Sequence, residues 1–441
     1  VAGAAALLTL WMLALWTIAT PALALGPDGA AIDTSDYTID FYEGPILASS
    51  RIIGLAGSFA PLAEGVVGYS VNPASVAMRV PWSHTWVDWE LDGSLTLPSS
   101  ITNTDFDNNG TDGFARSAAA FATIGAGIQL GAWGIGANFD LSSFQLTTRE
   151  QSQAALDVSL IRVNVVGGYA PFDGQLAFGL GIGVRAIDLS LAGGGEDTSL
   201  ASVQGIDVTL GAVWSPASLP VRVGGSVRLP IPNDESGALE GVTADENGNY
   251  VAAGYYLPRH VAAPIEINGA IALQLLRPLN VRWENPHVGP RVAPAGDTEA
   301  ASQHTVKQPE STRHVRELGG KLLVSAALKV TLATENGVGI ESFLRQVVER
   351  SGQHASFSPR LGLESEPWPG WVILRGGTYA EPTRFETSTA RLHGTAGLDV
   401  HIPVLWNMFG LLDDDTTFRV GGAIDGAERY FGWTFSLGIW R

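Results

Sequence analysis

The chain carries few residues grouped for chemistry. Its eight histidines, His84, His260, His287, His304, His314, His354, His393 and His401, are scattered and form no metal-ligand motif. Cysteine is absent, which removes thiolate nucleophiles, thiolate metal sites and disulfides. There is no Gly-x-Ser-x-Gly elbow and no phosphate-binding loop; Gly193-Gly194-Gly195 lacks the Lys-Ser/Thr that such a loop needs and reads as a turn. The expectation is a protein that is not an enzyme, with no catalytic residue, metal or cofactor. What remains are charges set singly between apolar neighbours: Arg222, Arg228, Glu266, Arg375, Asp399 and Arg419, with Asp207. One of these arginines, or Arg51 upstream, has the chemistry to meet a carboxylate of a ligand. The simpler reading is mutual pairing, in which these groups keep an interior polar and hold whatever fills it.

The elements that position these charges are amphipathic strands. Val87, Trp89 and Leu91 alternate with Asp88, Glu90 and Asp92; Ile206, Val208 and Leu210 with Asp207 and Thr209; Leu398, Val400 and Ile402 with Asp399 and His401; Phe418, Val420 and Ile424 with Arg419 and Asp425. A soluble sandwich turns the charged face to water, whereas a membrane barrel turns it to a polar lumen and gives the apolar face to lipid. Charged residues make up only 16% of the chain, below the quarter usual for a soluble domain, which favours the barrel. The strand candidates are 82–97, 117–131, 133–147, 155–170, 175–191, 203–215, 219–230, 257–274, 276–286, 312–330, 338–348, 353–366, 370–381, 389–404, 415–426 and 430–440. Two of them, 276–286 and 338–348, are weak, so about fourteen strands and possibly sixteen are expected, an even number either way. In 155–170 and 175–191 the apolar residues change phase partway, from Leu156, Val158 and Leu160 to Ile161, Val163 and Val165, and from Phe178, Leu180 and Ile182 to Ile187, Leu189 and Leu191. Either a β-bulge or a strand reaching past the membrane produces such a change. The segment 431–439 alternates Phe431, Trp433, Phe435, Leu437 and Ile439 with small residues, and as the last strand it must pair with the first.

Residues 2–19 are apolar and lead to Ala22-Leu23-Ala24, so 1–24 reads as a signal peptide cleaved after Ala24. Residues 25–80 follow as an N-terminal extension and plug, and 81–441 as the barrel. The plug is suggested by a Gly- and Ala-rich stretch too broken for a long helix and too irregular for a strand. It contains Arg51, Gly54, Gly57, Gly65 and Gly68 and ends in the turn Asn72-Pro73-Ala74. The net charge of −18 argues against nucleic acid as a partner. Tyr250, Tyr255, Tyr256 and Leu257, and the run 404–412, could line an apolar capture groove or form an interfacial belt.

Arg51, the small residues Gly54, Ala56 and Gly57, and Asn72-Pro73-Ala74 resemble the N-terminal hatch of the FadL/TodX family of outer-membrane transporters. A second resemblance lies in Gly362-Leu363-Glu364 followed by Arg375-Gly376-Gly377-Thr378-Tyr379 and Pro382. The resemblance implies an all-β transmembrane antiparallel barrel of fourteen strands in the outer membrane of a Gram-negative bacterium. It implies passive transport of long-chain fatty acids or other hydrophobic small molecules, with the hatch displaced to open the path. Outer-membrane lipid surrounds such a barrel, and the barrel-assembly machinery inserts it. A plugged barrel acting as a structural or secretion scaffold fits the same residues, and an exported soluble β-sandwich is the third reading.

Overall fold

The computed structural model describes residues 25–42, 44–78, 86–98, 105–111, 119–147, 155–192, 198–216, 219–230, 242, 244–275, 322–368, 371–386, 388–403 and 416–440. The expected signal peptide 1–24, the strand candidate 276–286 and the apolar run 404–412 lie outside these residues.

A short strand β1 (Thr38–Asp40) and a helix α1 (Ser50–Gly54) precede the first long strand, β2 (Val87–Pro98). There follow β3 (Ala120–Leu130), β4 (Trp133–Thr147), β5 (Ala155–Tyr169), β6 (Leu176–Ala192), β7 (Thr198–Trp214) and β8 (Val221–Arg228). Three short strands, β9 (Val251–Ala252), β10 (Tyr255–Tyr256) and β11 (His260–Ala262), lead into β12 (Glu266–Gln274) and β13 (Leu322–Thr331). After β14 (Gly337–Val338) and α2 (Ile340–Arg345), the chain completes the wall with β15 (Ser356–Trp368), β16 (Val372–Glu381), β17 (Arg391–Pro403), β18 (Thr417–Ala427) and β19 (Tyr430–Trp440). Fourteen of these strands, β2 to β8, β12, β13 and β15 to β19, form one closed antiparallel barrel. The last strand pairs with the first, from Gly432↔Pro98 to Trp440↔Glu90. Closure leaves no edge whose backbone groups would face lipid unpaired.

Fourteen rather than sixteen strands close the wall, and the segment 338–348 is not one of them. Ile340, Phe343 and Leu344 recur at helical spacing, and all three are buried in α2. The candidate 257–274 is also shorter in the wall than its alternation suggests. Pro264 has no N–H to give to a ladder, and the barrel strand starts after it, at Glu266. The stretch before it enters β11, which pairs in parallel with β1, while β14 pairs with β1 on its other side. This three-stranded sheet joins the N-terminal extension to the long-loop end of the barrel.

The apolar phase change in the long strands has no bulge beneath it. β5 and β6 pair without interruption from Ala155↔Ala192 to Tyr169↔Phe178. The one register shift nearby lies between β6 and β7, at Leu189/Ser190, beyond the change itself. Instead the surroundings of the two faces exchange. Near the tight turns, Val163, Val165, Leu180 and Ile182 face outward and are exposed, while Arg162 and Arg185 face inward and are buried. Toward the long loops, Leu156, Val158, Leu160, Ile187 and Leu189 are buried inward, and Asp157, Ser159, Asp188 and Ser190 take the outward positions. β4 does the same, with Ile135 and Phe139 outward below, and Phe144 and Leu146 inward above. The inward apolar residues join Tyr37, Phe106, Phe121, Leu257 and Phe343 in one buried cluster.

A polar interior within an apolar belt thus gives way to an apolar interior within a polar wall. The lipid-facing band ends where the outward residues turn polar. At the other edge, Trp133, Tyr169, Trp214, Trp368 and Trp371 are all exposed at the tight-turn ends, as an aromatic girdle requires. Because the chain lacks cysteine, single cysteines can map this boundary in reconstituted bilayers. Fluorophores on Val165→Cys and Ile182→Cys should be strongly quenched by brominated lipid tails, and those on Ser159→Cys and Asp188→Cys should not. Equal quenching at all four would place the membrane edge elsewhere.

Candidate hatch and its ion-pair anchors

Residues 50–78 are irregular because their sequence denies them any long regular element. Glycines and Pro61 interrupt every run, Gly57 and Gly65 have φ of +70° and +68°, and only α1 and two 3-10 turns form. Yet nearly the whole segment is buried, and its side chains bond to inward residues of strands all round the wall.

Arg51 and Glu64 are the segment's two charged residues. Glu64 accepts from Arg51 at 3.0 Å through one carboxylate oxygen and from Arg222 of β8 at 3.0 Å through the other. Arg51 also meets Glu364 of β15 at 3.3 Å, and its guanidinium lies 5.1 Å from the centre of the Phe59 ring. Glu364 accepts from Arg375 of β16 at 2.9 Å, and Arg375 meets Asp399 of β17 at 2.7 Å. The result is an alternating chain, Arg222–Glu64–Arg51–Glu364–Arg375–Asp399, three cations and three anions, whose middle link belongs to the 50–78 segment. It ends where the Ser50 hydroxyl donates to Asp399 at 3.1 Å. Arg419 pairs with Asp92, and Glu90 accepts from the Val66 N–H at 2.9 Å. Arg228 binds Glu266 at 2.9 Å and the carbonyl of Ser70 at 2.9 Å, and Lys329 pairs with Glu266 as well. Each lumen residue singled out in the sequence therefore has an opposite charge beside it. A cavity of about 40 Å³ remains among Arg51, Glu64, Glu90, Arg375, Asp399 and Arg419, room for water but not for a fatty acid.

The Asn72-Pro73-Ala74 turn is held by its asparagine. The fully buried Asn72 amide donates to the carbonyls of Ala60 at 2.9 Å and Ala212 at 3.1 Å, and its oxygen accepts the Ala74 N–H at 3.1 Å. Pro73 then opens a 3-10 turn, where its fixed φ suits the first position and its missing N–H costs nothing. Opposite, the wall is stripped of side chains. A Cβ on Gly179 of β6 would lie 2.2 Å from backbone atoms of Pro73 and Ala74, and one on Gly224 of β8 would lie 2.3 Å from the Ala60 carbonyl. Gly54 likewise lets α1 reach Arg375 and Gly397, and Gly68 lets its turn close on Ser75. Much of the chain's high glycine content is accordingly a socket for 50–78.

Glu64 escaped the reading of the sequence, although it is the one acidic residue of the glycine-rich stretch, and Glu364 entered it only through the second resemblance and not as a partner of Arg51. A second buried network escaped it too. His393 lies between Asp425 at 2.8 Å and Glu381 at 2.6 Å, with Tyr379 donating to Asp425 at 2.7 Å and Arg391 to Glu381 at 2.7 Å. Its members come from β16, β17 and β18, so sequence spacing does not reveal it.

No protein-family model matches the chain, and no curated protein matches it in sequence. Solved structures do. A crystal structure of a Pseudomonas aeruginosa FadL homologue aligns with a TM-score of 0.51 at 11% identity, covering 90% of this chain and 99% of that one. The CymD monoaromatic hydrocarbon channel aligns with a TM-score of 0.51 at 10% identity, covering 90% and 98%. The chain has the FadL-type fold. At such low identity, what is common between these FadL-type barrels and this chain is the architecture, and the roles of individual residues rest on their geometry here.

Two variants test the anchoring. Glu64→Ala leaves Arg51 and Arg222 short of a buried counter-charge, a loss of about 3–5 kcal/mol for such a pair. Segment 50–78 should loosen while the barrel persists, so planar-bilayer conductance should rise above the wild-type level and protease should cut within 50–78. Gly179→Val should expel the Asn72-Pro73-Ala74 turn without unfolding the wall. A cysteine at Ala74 should then be labelled in that background and protected in the parent, with heat-modifiable gel migration unchanged in both.

Proposed function

We propose that this chain is a passive outer-membrane transporter of hydrophobic small molecules, long-chain fatty acids or hydrocarbons, in a Gram-negative bacterium, and that residues 50–78 are its hatch. The observation that carries the reading is the exchange of faces. Beyond the lipid belt, the barrel encloses an apolar cluster of Phe106, Phe121, Phe144, Leu156, Val158 and Leu160, continuous with Tyr37 and Leu257 from the inner segments. An apolar interior on the water side of a membrane is where a poorly soluble molecule would be taken up. One of the two structural neighbours is a monoaromatic hydrocarbon channel, which supports the same substrate class. Entry would proceed from that cluster toward the hatch and past it down a concentration gradient, with no cofactor and no energy coupling. The barrel-assembly machinery would insert the chain, and nucleic acid has no part in it.

One observation favours the second reading, a closed scaffold: the hatch is packed against the wall and both of its charges are paired. The two readings differ in whether the hatch must move. The hydroxyls of Ser58 and Ser325 are 2.8 Å apart, on hatch and wall respectively. In cells that lack the native gene, the variant Ser58→Cys/Ser325→Cys should support uptake of labelled fatty acid or aromatic hydrocarbon only when reduced, at the wild-type rate. Oxidation should abolish uptake and reductant should restore it. Uptake that ignores the crosslink would overturn the gating role. Uptake no greater than in cells without the gene would favour the scaffold, and co-purification of a stoichiometric partner would then be its signature.

A further inference from the structure

Between β2 and β3 the sequence reads Asp105-Phe106-Asp107-Asn108-Asn109-Gly110-Thr111. Side-chain oxygens at the first, third and fifth positions with glycine at the sixth are the spacing of a calcium loop, in which the seventh position contributes its carbonyl. The twelfth position, which supplies a glutamate in that motif, is Arg116 here. The fold brings a glutamate from elsewhere. Glu341, in the first turn of α2, is 9% exposed and accepts from the Thr111 hydroxyl at 2.8 Å.

The loop is already shaped. Asp105 accepts the N–H groups of Asn109 at 3.0 Å and Gly110 at 2.9 Å, and Gly110 has φ of +91°. Phe106 is buried and stacks on Phe121 with ring centres 5.4 Å apart, which fixes the two aspartates on either side of it. Hydrogen bonds within a loop do not by themselves imply a ligand. Asp107 does. Both its carboxylate oxygens are buried and neither has a hydrogen-bond partner. The charged groups that act on it are Glu341, Asp105 and Glu349, all acidic. The cations nearby hold carbonyls or other carboxylates: Arg391 binds Glu381 and the carbonyls of Asp105 and Phe106, Arg429 the carbonyl of Gly110, and Arg345 pairs with Glu349.

We propose that Asp105, Asp107, Asn109 and Glu341 form a calcium site that ties the β2–β3 loop to the loop carrying α2. Calcium accepts six to eight oxygen ligands in flexible geometry, which suits carboxylates, an amide oxygen and a backbone carbonyl drawn from two separate segments. Among the described residues no three carboxylates or histidines converge at ligand distance. Like charges in a dry pocket repel, and a divalent cation is the species that would draw them together. Magnesium demands stricter octahedral geometry and should bind poorly. The assignment does not depend on the transport reading.

The test is calorimetric titration of the full-length protein in detergent, stripped with a chelator and kept at physiological salt, with calcium chloride. One saturable site is expected, with Kd of about 10⁻⁴–10⁻³ M as for extracellular modules. Asp107→Asn and Glu341→Gln should each weaken it by about tenfold or more, because affinity follows ligand charge. Asp107→Asn should also abolish the rise in melting temperature that calcium gives the wild type. A merely structural aspartate would leave that rise in place. Absence of saturable binding in the wild type, unchanged affinity in both variants, or equal affinity for magnesium would each overturn the assignment.

Discussion

The structure depends on one constraint: a closed barrel cannot leave its inward charges unpaired. Within the lipid belt the lumen excludes most water, and a lone buried ion costs several kcal/mol even after relaxation. Two of the wall's charges pair with the 50–78 segment: Arg222 on β8 meets Glu64, and Glu364 on β15, which also accepts from Arg375, meets Arg51. The segment thus turns its anion toward β8 and its cation toward β15. The segment is seated by electrostatic complementarity, and its glycine-lined socket brings these charges within reach.

That constraint also explains which parts of the fold were legible in the sequence. Alternation such as Leu398-Asp399-Val400-His401-Ile402 shows one apolar and one polar face, and lipid and lumen impose that pattern strand after strand. Fourteen strands could not be separated from sixteen by alternation alone. Ile340, Phe343 and Leu344 have helical spacing within a run that also contains the alternating neighbours of a strand. The phase change in β5 and β6 was visible, but its cause was not. A bulge and an exchange of environments leave the same trace in one sequence, and only the unbroken pairing of Leu160 with Ile187 and Val163 with Val184 separates them.

The turn at Asn72-Pro73-Ala74 was legible for a different reason. Asn72 before Pro73 is constrained locally, so its role as the cap of a tight turn can be read from three residues. The ion-pair chain cannot. Glu64 and Arg222 are separated by 158 positions and Arg51 and Glu364 by 313, so no local pattern links them. The spacing of Asp105, Asp107, Asn109 and Gly110 stood in the sequence as well and went unread. Glu341, which accepts from Thr111 of that loop, lies on α2, more than two hundred residues later.

The same electrostatics limits how a hatch of this kind can open. A hydrocarbon has no charge to offer Arg51 or Glu64, so its binding cannot favour a state in which those ions are separated; a ligand shifts an equilibrium only by its differential affinity for the two states. What it can offer is apolar contact. Ile52, Ile53, Leu55, Phe59 and Leu62 form one buried cluster with Leu323, Tyr379 and Ala272 of the wall, and an apolar ligand competes for those surfaces directly. For a hydrocarbon, opening must therefore exchange apolar contacts while the ion pairs stay closed. A local rearrangement does this and wholesale expulsion of the segment does not. Gly57 and Gly65 already adopt positive φ between the anchors Arg51, Glu64 and Asn72, so the backbone there can change conformation with little steric penalty while the anchors remain in place. In such a device the ion-pair chain is the fixed anchor, the two glycines are the hinge, and the apolar cluster is the part that responds to substrate.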